Sequence, residues 1–254
     1  MTTTTPTTDP SRTEGARPSR ARRRIVLALV AAALVAIAAV VGPWAYAELR
    51  GPAPAAFTDS DADAAVDPDA AAAPAGDDAP AEVDVDGTWT SDGGSLAGYR
   101  IDEVLSGQEV TVVGRTAEVE AEVVIADGLL TAATITVDTA SIETDESARD
   151  AYFRRALGVA ENPTATFVLG EPVDVSDVGD AAGTVVVEAA GTLTLAGVAR
   201  DVVATLEVQR TADGVAVAGS VPLVLTDHGL TAPDFGFVAV QPDGIVEVQL
   251  RLVR

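Results

Sequence analysis

Apolar and polar residues alternate along much of the chain from residue 87 onward, and this alternation constrains the fold more than any other feature of the sequence. In the segment EVEAEVVI, which begins at Glu118, small apolar residues alternate with glutamates. A period of two is typical of β-strands with one buried face. Asp127-Gly128 follows and favours a tight hairpin turn before the alternation resumes. The pattern therefore predicts an antiparallel sheet within residues 87–254.

The same pattern recurs further along this region. Asp213-Gly214 predicts a second hairpin, and residues 245–253 alternate valine and leucine with polar side chains. Residues 147–158 break the pattern and predict one short helix, capped by Ser147 and terminated by Gly158. Further strands are predicted near residues 96–105, 109–114, 164–170 and 183–195.

About eight short strands with one apolar face each need a second surface to cover that face. Closing the sheet into a barrel supplies this surface and removes exposed edges. A barrel of about eight strands has an interior that side chains fill, or that holds one small elongated ligand. Aromatic residues make up only 4% of the chain, and the predicted lining is mostly Val, Ala, Thr, Ile and Leu. Small lining residues favour a ligand cavity; a two-sheet sandwich without a cavity is the alternative.

Composition excludes several classes of protein. The chain has 16 basic residues, all of them arginine, against 39 acidic residues, for a net charge of −23. This balance argues against a nucleic-acid partner, which requires a basic surface. The absence of cysteine removes thiol nucleophiles and disulfides, and the single histidine, His228, precludes a multi-histidine metal site. No nucleophile motif accompanies His228, so we predict a protein without catalytic activity or cofactor.

The N-terminal region has the features of a membrane anchor. Residues 1–24 carry six arginines and predict a basic cytoplasmic tail. Residues 25–47 begin with IVLALVAAALVAIAAVV and are long enough to span a bilayer. The sequence thus predicts a single-pass protein of the cell membrane, with its N-terminus in the cytoplasm and its domain outside. Ala45-Tyr46-Ala47 also matches a cleavage site, which leaves a cleavable signal peptide open.

Residues 48–86 differ in composition from both of their neighbours. They are rich in Ala, Pro and Asp, and their part from residue 51 onward carries acidic side chains and no basic one. Such a segment cannot bury enough apolar surface to offset the entropy of ordering. It is predicted to be a disordered linker between the membrane segment and the domain at residues 87–254.

Four motifs follow one another along residues 89–253. They are Ser141-Ile142-Glu143-Thr144 with Arg149-Asp150 and Phe153, then Asn162-Pro163-Thr164-Ala165-Thr166-Phe167, then Gly191-Thr192-Leu193-Thr194-Leu195-Ala196-Gly197-Val198, and finally Asp234-Phe235-Gly236. In order and spacing they resemble the YceI family. The resemblance implies an elongated, lipocalin-like antiparallel barrel that binds polyisoprenoid lipids.

Pattern and resemblance together predict a carrier or sequestering protein that holds an isoprenoid lipid, a polyprenyl compound or a quinone, outside the cytoplasmic membrane. One alternative is an interaction module with a solid core and an acidic docking face. A second is a lipid hydrolase or isomerase that uses His228 with Asp227 or Asp234. The sequence leaves homodimer formation open. The residues predicted to contact the ligand are Tyr99, Ile101, Val123, Ile135, Val137, Arg149, Asp150, Phe153, Phe167, Leu193, Leu206, Phe235 and Phe237.

Some of these residues allow two interpretations. Arg149 and Asp150 are expected either to orient a polar head group at the barrel mouth, where guanidinium matches phosphate, or to cap the helix and pair with its loop. Phe235 and Phe237 flank Gly236 in a loop-like segment and are expected either to gate the cavity or to pack in the core.

Overall fold

The computed structural model describes residues 53–57, 85–180 and 183–254. The predicted cytoplasmic tail, the predicted membrane span at residues 25–47 and most of the predicted linker lie outside these described residues. Within the described ranges, no helix combines the length and the apolar character that crossing a membrane requires.

Strands dominate the described part of the chain, as the alternation predicts. The helices are α1 (Ser147–Leu157) and α2 (Ser176–Asp180), with 3₁₀ turns at Thr139–Ser141 and Leu225–His228. The strands are β1 (Gly87–Ser91), β2 (Leu96–Leu105), β3 (Gln108–Thr116), β4 (Val119–Ala126), β5 (Leu129–Asp138), β6 (Thr164–Leu169), β7 (Val173–Asp174), β8 (Val185–Leu195), β9 (Val198–Arg210), β10 (Val215–Val224) and β11 (Val238–Val253).

Eight of these strands close into an antiparallel barrel, which confirms the predicted fold class. The ring runs β1-β4-β5-β6-β8-β9-β10-β11 and closes where β11 pairs with β1, at Thr90 opposite Val253. Before it reaches β1, the long strand β11 pairs with β2, and β2 pairs in turn with β3. Closure satisfies the backbone groups that an open sheet would expose at its edges.

Tight turns fix the register of the hairpins. Asp127 and Gly128 have φ values of 54° and 72°, and Ala126 lies opposite Leu129, so the predicted turn between β4 and β5 contains two residues in the left-handed region. Such turns match the right-handed twist of the strands. The predicted hairpin between β9 and β10 is also present, where Val215 lies opposite Arg210.

Helix α1 has the predicted position but a different N-cap. The Glu146 side chain, rather than that of Ser147, accepts a hydrogen bond from the Ala148 backbone N–H at 3.4 Å. Gly158 ends the helix in the left-handed conformation, with φ of 61°, as its sequence position predicts. The cap therefore lies one residue earlier than the sequence suggests.

The core runs along the barrel in three clusters. The first surrounds Trp89 at the end that α2 covers, where Val175 and Val178 pack inward. The second lies around Phe167 and Leu193 in the middle of the barrel. A third joins Leu157, Leu195 and Leu223 near α1, with Phe153 packed against it. The apolar faces predicted from the alternation thus meet inside the ring.

A short part of the predicted linker contacts the outside of the barrel. Arg100 Nη2 donates a hydrogen bond to the Pro54 carbonyl oxygen at 2.8 Å, and Arg115 Nη2 donates to the Ala55 carbonyl oxygen. The Arg115 guanidinium also lies 4.1 Å from the centroid of the Phe57 ring. The composition of the linker does not predict this contact. We call residues 53–57 the strap.

Candidate ligand-binding site

The inward face of β2 leads from the core to the end of the barrel that α1 covers. Ala97 belongs to the first core cluster, and Tyr99, Ile101 and Glu103 follow it on the same face because side chains of a strand alternate. Tyr99 and Ile101 are half-buried, whereas Glu103 is buried, with only 5% of its surface exposed. The inward-facing side chains of β2 therefore change from apolar to charged towards helix α1.

An aromatic stack joins β2 to α1. The rings of Tyr99 and Phe153 are 4.8 Å apart between centroids and nearly parallel, at 12°. Gly114 on β3 makes room for this arrangement, because a Cβ atom at that position would lie 2.5 Å from Tyr99 Cε1. Two residues predicted to contact the ligand thus meet at the helix-covered end.

Arg149 forms ion pairs with two carboxylates, those of Glu103 and Asp145. Its Nη2 donates to Glu103 Oε1 at 3.0 Å, and its Nη1 donates to Asp145 Oδ1 at 2.7 Å. The network links α1, the loop before it and the inward face of β2. The two terminal nitrogens of the guanidinium therefore each have a carboxylate partner within the protein.

This environment shifts two pKa values. Burial raises the pKa of the Tyr99 hydroxyl far above its usual range, although the nearby Arg149 opposes the shift. Burial alone would lower the pKa of Arg149, but Glu103 and Asp145 together raise it above its ordinary value. Tyr99 therefore stays a neutral hydrogen-bond donor and Arg149 stays a cation throughout the physiological range.

Asp150 forms hydrogen bonds with the loop that precedes α1. Its Oδ1 accepts hydrogen bonds from the Thr144 backbone N–H at 2.9 Å and from Thr144 Oγ1 at 2.7 Å. The side chain is buried, with 6% exposure. Of the two roles considered for Asp150, these contacts favour pairing with the loop. Hydrogen bonds within the first YceI-like motif therefore fix the start of helix α1.

The remaining predicted contact residues fall into two groups. One group lies inside the barrel, in or against the first two core clusters, and comprises Val123, Ile135, Val137, Phe167, Leu193 and Leu206. The other group, Phe235 and Phe237, lies outside, with 56% and 63% of their surfaces exposed. Phe235 contacts Tyr152 of α1 edge to face, with 5.9 Å between ring centroids. These phenylalanines are therefore not core residues.

His228 is buried beside a strand of the barrel. Its exposure is 3%, and its Nδ1 lies 3.0 Å from the Val198 carbonyl oxygen. Its neighbour Asp227 and the loop residue Asp234 are both exposed. In the described part of the chain, no group of three or more His, Asp or Glu residues is arranged to hold a metal ion.

Sequence reasoning missed three residues of this site: Glu103, Asp145 and Gly114. Glu103 has a recognisable signal, because it continues the inward register of Tyr99 and Ile101 and is thus a carboxylate on a buried face. Asp145 precedes Arg149 by four residues, but it lies before the helix, so helical spacing does not reveal the pair. Gly114 contributes only space, which no sequence pattern encodes.

The fold and the site define a closed antiparallel β-barrel with an apolar interior and one polar, helix-covered end. The chain belongs to the YceI-like domain family, whose family model matches residues 89–252. This match confirms the resemblance inferred from the four motifs.

Several solved structures resemble the chain at low sequence identity. BcnA of Burkholderia cenocepacia is 18% identical, with a TM-score of 0.48 over 61% of this chain and 96% of that one. A polyisoprenoid-binding domain from Saccharophagus degradans is 20% identical, with a TM-score of 0.44 over 64% and 98%. The YceI protein of Campylobacter jejuni is 18% identical, with a TM-score of 0.37 over 52% and 81%. No curated protein matches the chain significantly.

Proposed function

We propose that the protein binds an isoprenoid-type lipid, a polyprenyl compound or a quinone, inside its barrel. It carries or sequesters this lipid outside the cytoplasmic membrane and catalyses no reaction. Residues 25–47 anchor it in the membrane in this proposal, with the N-terminus in the cytoplasm. The membership in the YceI-like family and the apolar interior support the proposal.

The observation that carries the proposal is the incomplete burial of inward-facing apolar side chains. Ile135, Val137 and Leu206 pack against the core clusters but keep accessible surface, and so does Val246 near α1. In a solidly packed core such side chains would be fully buried. Accessible apolar surface inside a barrel favours an apolar ligand, because each buried methylene contributes about 0.8 kcal/mol.

The helix-covered end completes the proposed site. A linear lipid has a long apolar chain and a small polar head, so it needs one apolar region and one polar region in line. The apolar region lies in the middle of the barrel, around Phe167 and Leu193. The polar region is the ion pair of Glu103 and Arg149. The apolar interior thus leads to polar groups at the α1 end.

Native mass spectrometry of the full-length protein, extracted from its own membranes and freed of detergent, tests the proposal. We expect a bound molecule that copurifies with the protein and, once released, has the mass of an isoprenoid lipid. The Ile135→Trp variant should lose this mass because the indole occupies interior space, whereas Thr134→Trp, on the exposed face of the same strand, should retain it. Circular dichroism shows whether both variants are folded. Consistent recovery of an empty protein, without uptake of added quinone or polyprenyl phosphate, contradicts the proposal.

A further inference from the structure

Two of the five phenylalanines of the chain lie on the surface, in the loop that precedes β11. Phe235 and Phe237 are each more than half exposed, and Phe237 is the most exposed large apolar side chain in the described ranges. The edge-to-face contact of Phe235 with Tyr152 joins this loop to helix α1. Single exposed apolar residues are common, but exposed aromatic side chains that adjoin one another on two elements indicate a binding surface.

Hydrogen bonds hold the loop that carries both phenylalanines. The Phe235 backbone N–H donates to the Val238 carbonyl oxygen at 2.8 Å. The Ser106 N–H, in the turn between β2 and β3, donates to the Phe237 carbonyl oxygen at 2.6 Å. Between the two phenylalanines, Gly236 has a φ of 80°, which glycine adopts without strain. Both rings are therefore held in exposed positions, and little conformational entropy is lost when a partner covers them.

The exposed face of α1 continues this surface and carries no acidic side chain. Its residues are Ser147, Ala148, Ala151, Tyr152, Arg155 and Ala156. The single acid of the helix, Asp150, is buried against the preceding loop. By contrast, the exposed face of β4 carries Glu120 and Glu122, in keeping with the acidic composition of the chain. Together with the two phenylalanines, Tyr152 and Arg155 form an aromatic and basic surface that we call the α1 patch.

The composition of the α1 patch matches the surface of a phospholipid bilayer. Aromatic side chains favour the interface between hydrocarbon and head groups, and an arginine there pairs with lipid phosphates while its apolar stem stays buried. The patch also adjoins the helix-covered end of the barrel, because Tyr152 directly precedes Phe153, whose ring stacks on Tyr99. Since the proposed lipid ligand comes from a bilayer, this position favours a bilayer over a protein partner.

We propose that the α1 patch docks the domain onto the surface of a phospholipid bilayer. The barrel then meets the bilayer with its α1 end, and a lipid passes between the bilayer and the barrel without crossing water. This inference goes beyond the proposed function and rests on it only in the choice of a bilayer as the partner. The proposed anchor at residues 25–47 attaches the chain to the membrane, whereas the α1 patch determines which side of the domain faces it.

The chain contains no cysteine, so one introduced cysteine places a fluorophore at a chosen position. Ala156→Cys labels the exposed face of α1. Ala212→Cys is the matched control, an exposed alanine in the turn between β9 and β10, near the point where Arg210 Nη1 donates to the Gly179 carbonyl oxygen of α2 at 2.7 Å. The full-length protein is reconstituted in phosphatidylcholine vesicles, with and without a phospholipid that carries a nitroxide quencher on its acyl chain. We expect the nitroxide to quench the label at position 156 and not the label at position 212.

Variants of the α1 patch connect the quenching to named side chains. Phe235→Ser combined with Phe237→Ser should lower the ratio of docked to undocked domain by at least about tenfold, because burial of a phenylalanine side chain contributes on that scale. Val186→Ser, at a similarly exposed valine next to the first core cluster, is the control and should leave this ratio unchanged. Arg155→Gln should lower the ratio roughly two- to threefold, as expected for an exposed ionic contact. Circular dichroism checks that each variant is folded.

The outcomes separate docking from lipid binding. Equal quenching at positions 156 and 212, or quenching at neither, overturns docking through the α1 patch. Quenching at position 156 that persists in the double phenylalanine variant overturns it as well. Fluorescence at position 156 that depends on protein density in the vesicles and not on the nitroxide lipid indicates that a second copy covers the patch, which also overturns bilayer docking. The proposed function is judged separately, by the lipid recovered with the wild-type protein in native mass spectrometry.

Discussion

The two ends of the barrel are both covered by a short helix, yet they are built from different side chains. At the α2 end, Val175 and Val178 pack with Trp89 in an apolar cluster. At the α1 end, Arg149 pairs with the buried carboxylate of Glu103. Buried charges cost desolvation energy and seldom add net stability. Both ends contain apolar clusters, but of the two pairs compared only the one at the α1 end buries an ion pair, and the α1 end is where we propose that the polar head of the ligand lies.

The largest expected effect is that of Trp89→Ala at the α2 end. Trp89 is 7% exposed, and its indole Nε1 donates to the Val85 carbonyl oxygen at 2.9 Å. Truncation leaves a cavity and should lower the free energy of unfolding by about 3–5 kcal/mol. Chemical denaturation measures this loss. Val186→Ala, at a position that is 62% exposed, is the control and should change stability by less than about 0.5 kcal/mol.

The same variant sharpens the comparison between the ends. If Trp89 serves only stability, the folded fraction of Trp89→Ala should keep the wild-type affinity for the isoprenoid lipid. A lower lipid affinity of the folded fraction would show that the α2 end takes part in ligand binding, and the division of roles would then be wrong.

Gly114→Ala should have the next largest effect and acts at the α1 end. The added methyl group would lie 2.5 Å from Tyr99 Cε1 and 2.9 Å from a methyl carbon of Ile142, so the tyrosine ring must move. We expect about 1–3 kcal/mol of destabilisation together with weakened ligand binding. Thermal melting measures the first effect, and native mass spectrometry with added quinone measures the second. Gly93→Ala, where no atom lies within 4 Å of the added carbon, should change neither.

Tyr99→Phe should have a smaller effect, confined to binding. The stack on Phe153 is kept, but the hydroxyl donor is lost. We expect quinone affinity to fall roughly 2- to 12-fold, which corresponds to one net hydrogen bond of about 0.5–1.5 kcal/mol. Tyr152→Phe, which removes an exposed hydroxyl from α1, is the control. Equal affinities of Tyr99→Phe and wild type would show that the Tyr99 hydroxyl does not contact the ligand.

The smallest expected effect concerns pH and the α2 end. Hydrogen bonds from Ser176 hold the pKa of Asp174 below its ordinary value. Because the pKa is lower in the folded state, this contribution is present above the unfolded pKa and is lost as pH falls through the folded value. Amide exchange at Ser176 should accelerate only in that acidic window. Asp174→Asn should abolish this pH dependence, and an unchanged profile would contradict the assignment.

Local features of the fold were predictable from the sequence because their causes are local. The alternation in β4 places Val119 and Ala121 inside and the intervening glutamate outside, and the structure agrees. Asp127-Gly128 forms its turn because both residues tolerate the left-handed region. Ser106-Gly107 and Ala196-Gly197 form turns with similar φ values, but their dipeptides are weaker signals and did not lead to predictions.

Features that depend on distant residues were not predictable in detail. Periodicity suggests closure, but nothing local to β1 or β11 specifies that Thr90 lies opposite Val253. Periodicity also assigns Glu247 to the outward face without revealing that it is buried, with 4% exposure, beneath its partner Arg100. The site shows the same limit, because Arg149 was identifiable from the sequence, whereas its pairing with Glu103 depends on how α1 lies over β2.

The strap divides the predicted linker into two segments with separate consequences for engineering. Ala55 and Phe57 both contact Arg115, so the chain already lies against the domain at the strap. We therefore expect insertions within residues 58–84 to leave the contact between the strap and the barrel unchanged. Insertions before the strap, at residues 48–52, should instead lengthen the connection between the proposed membrane anchor and the domain.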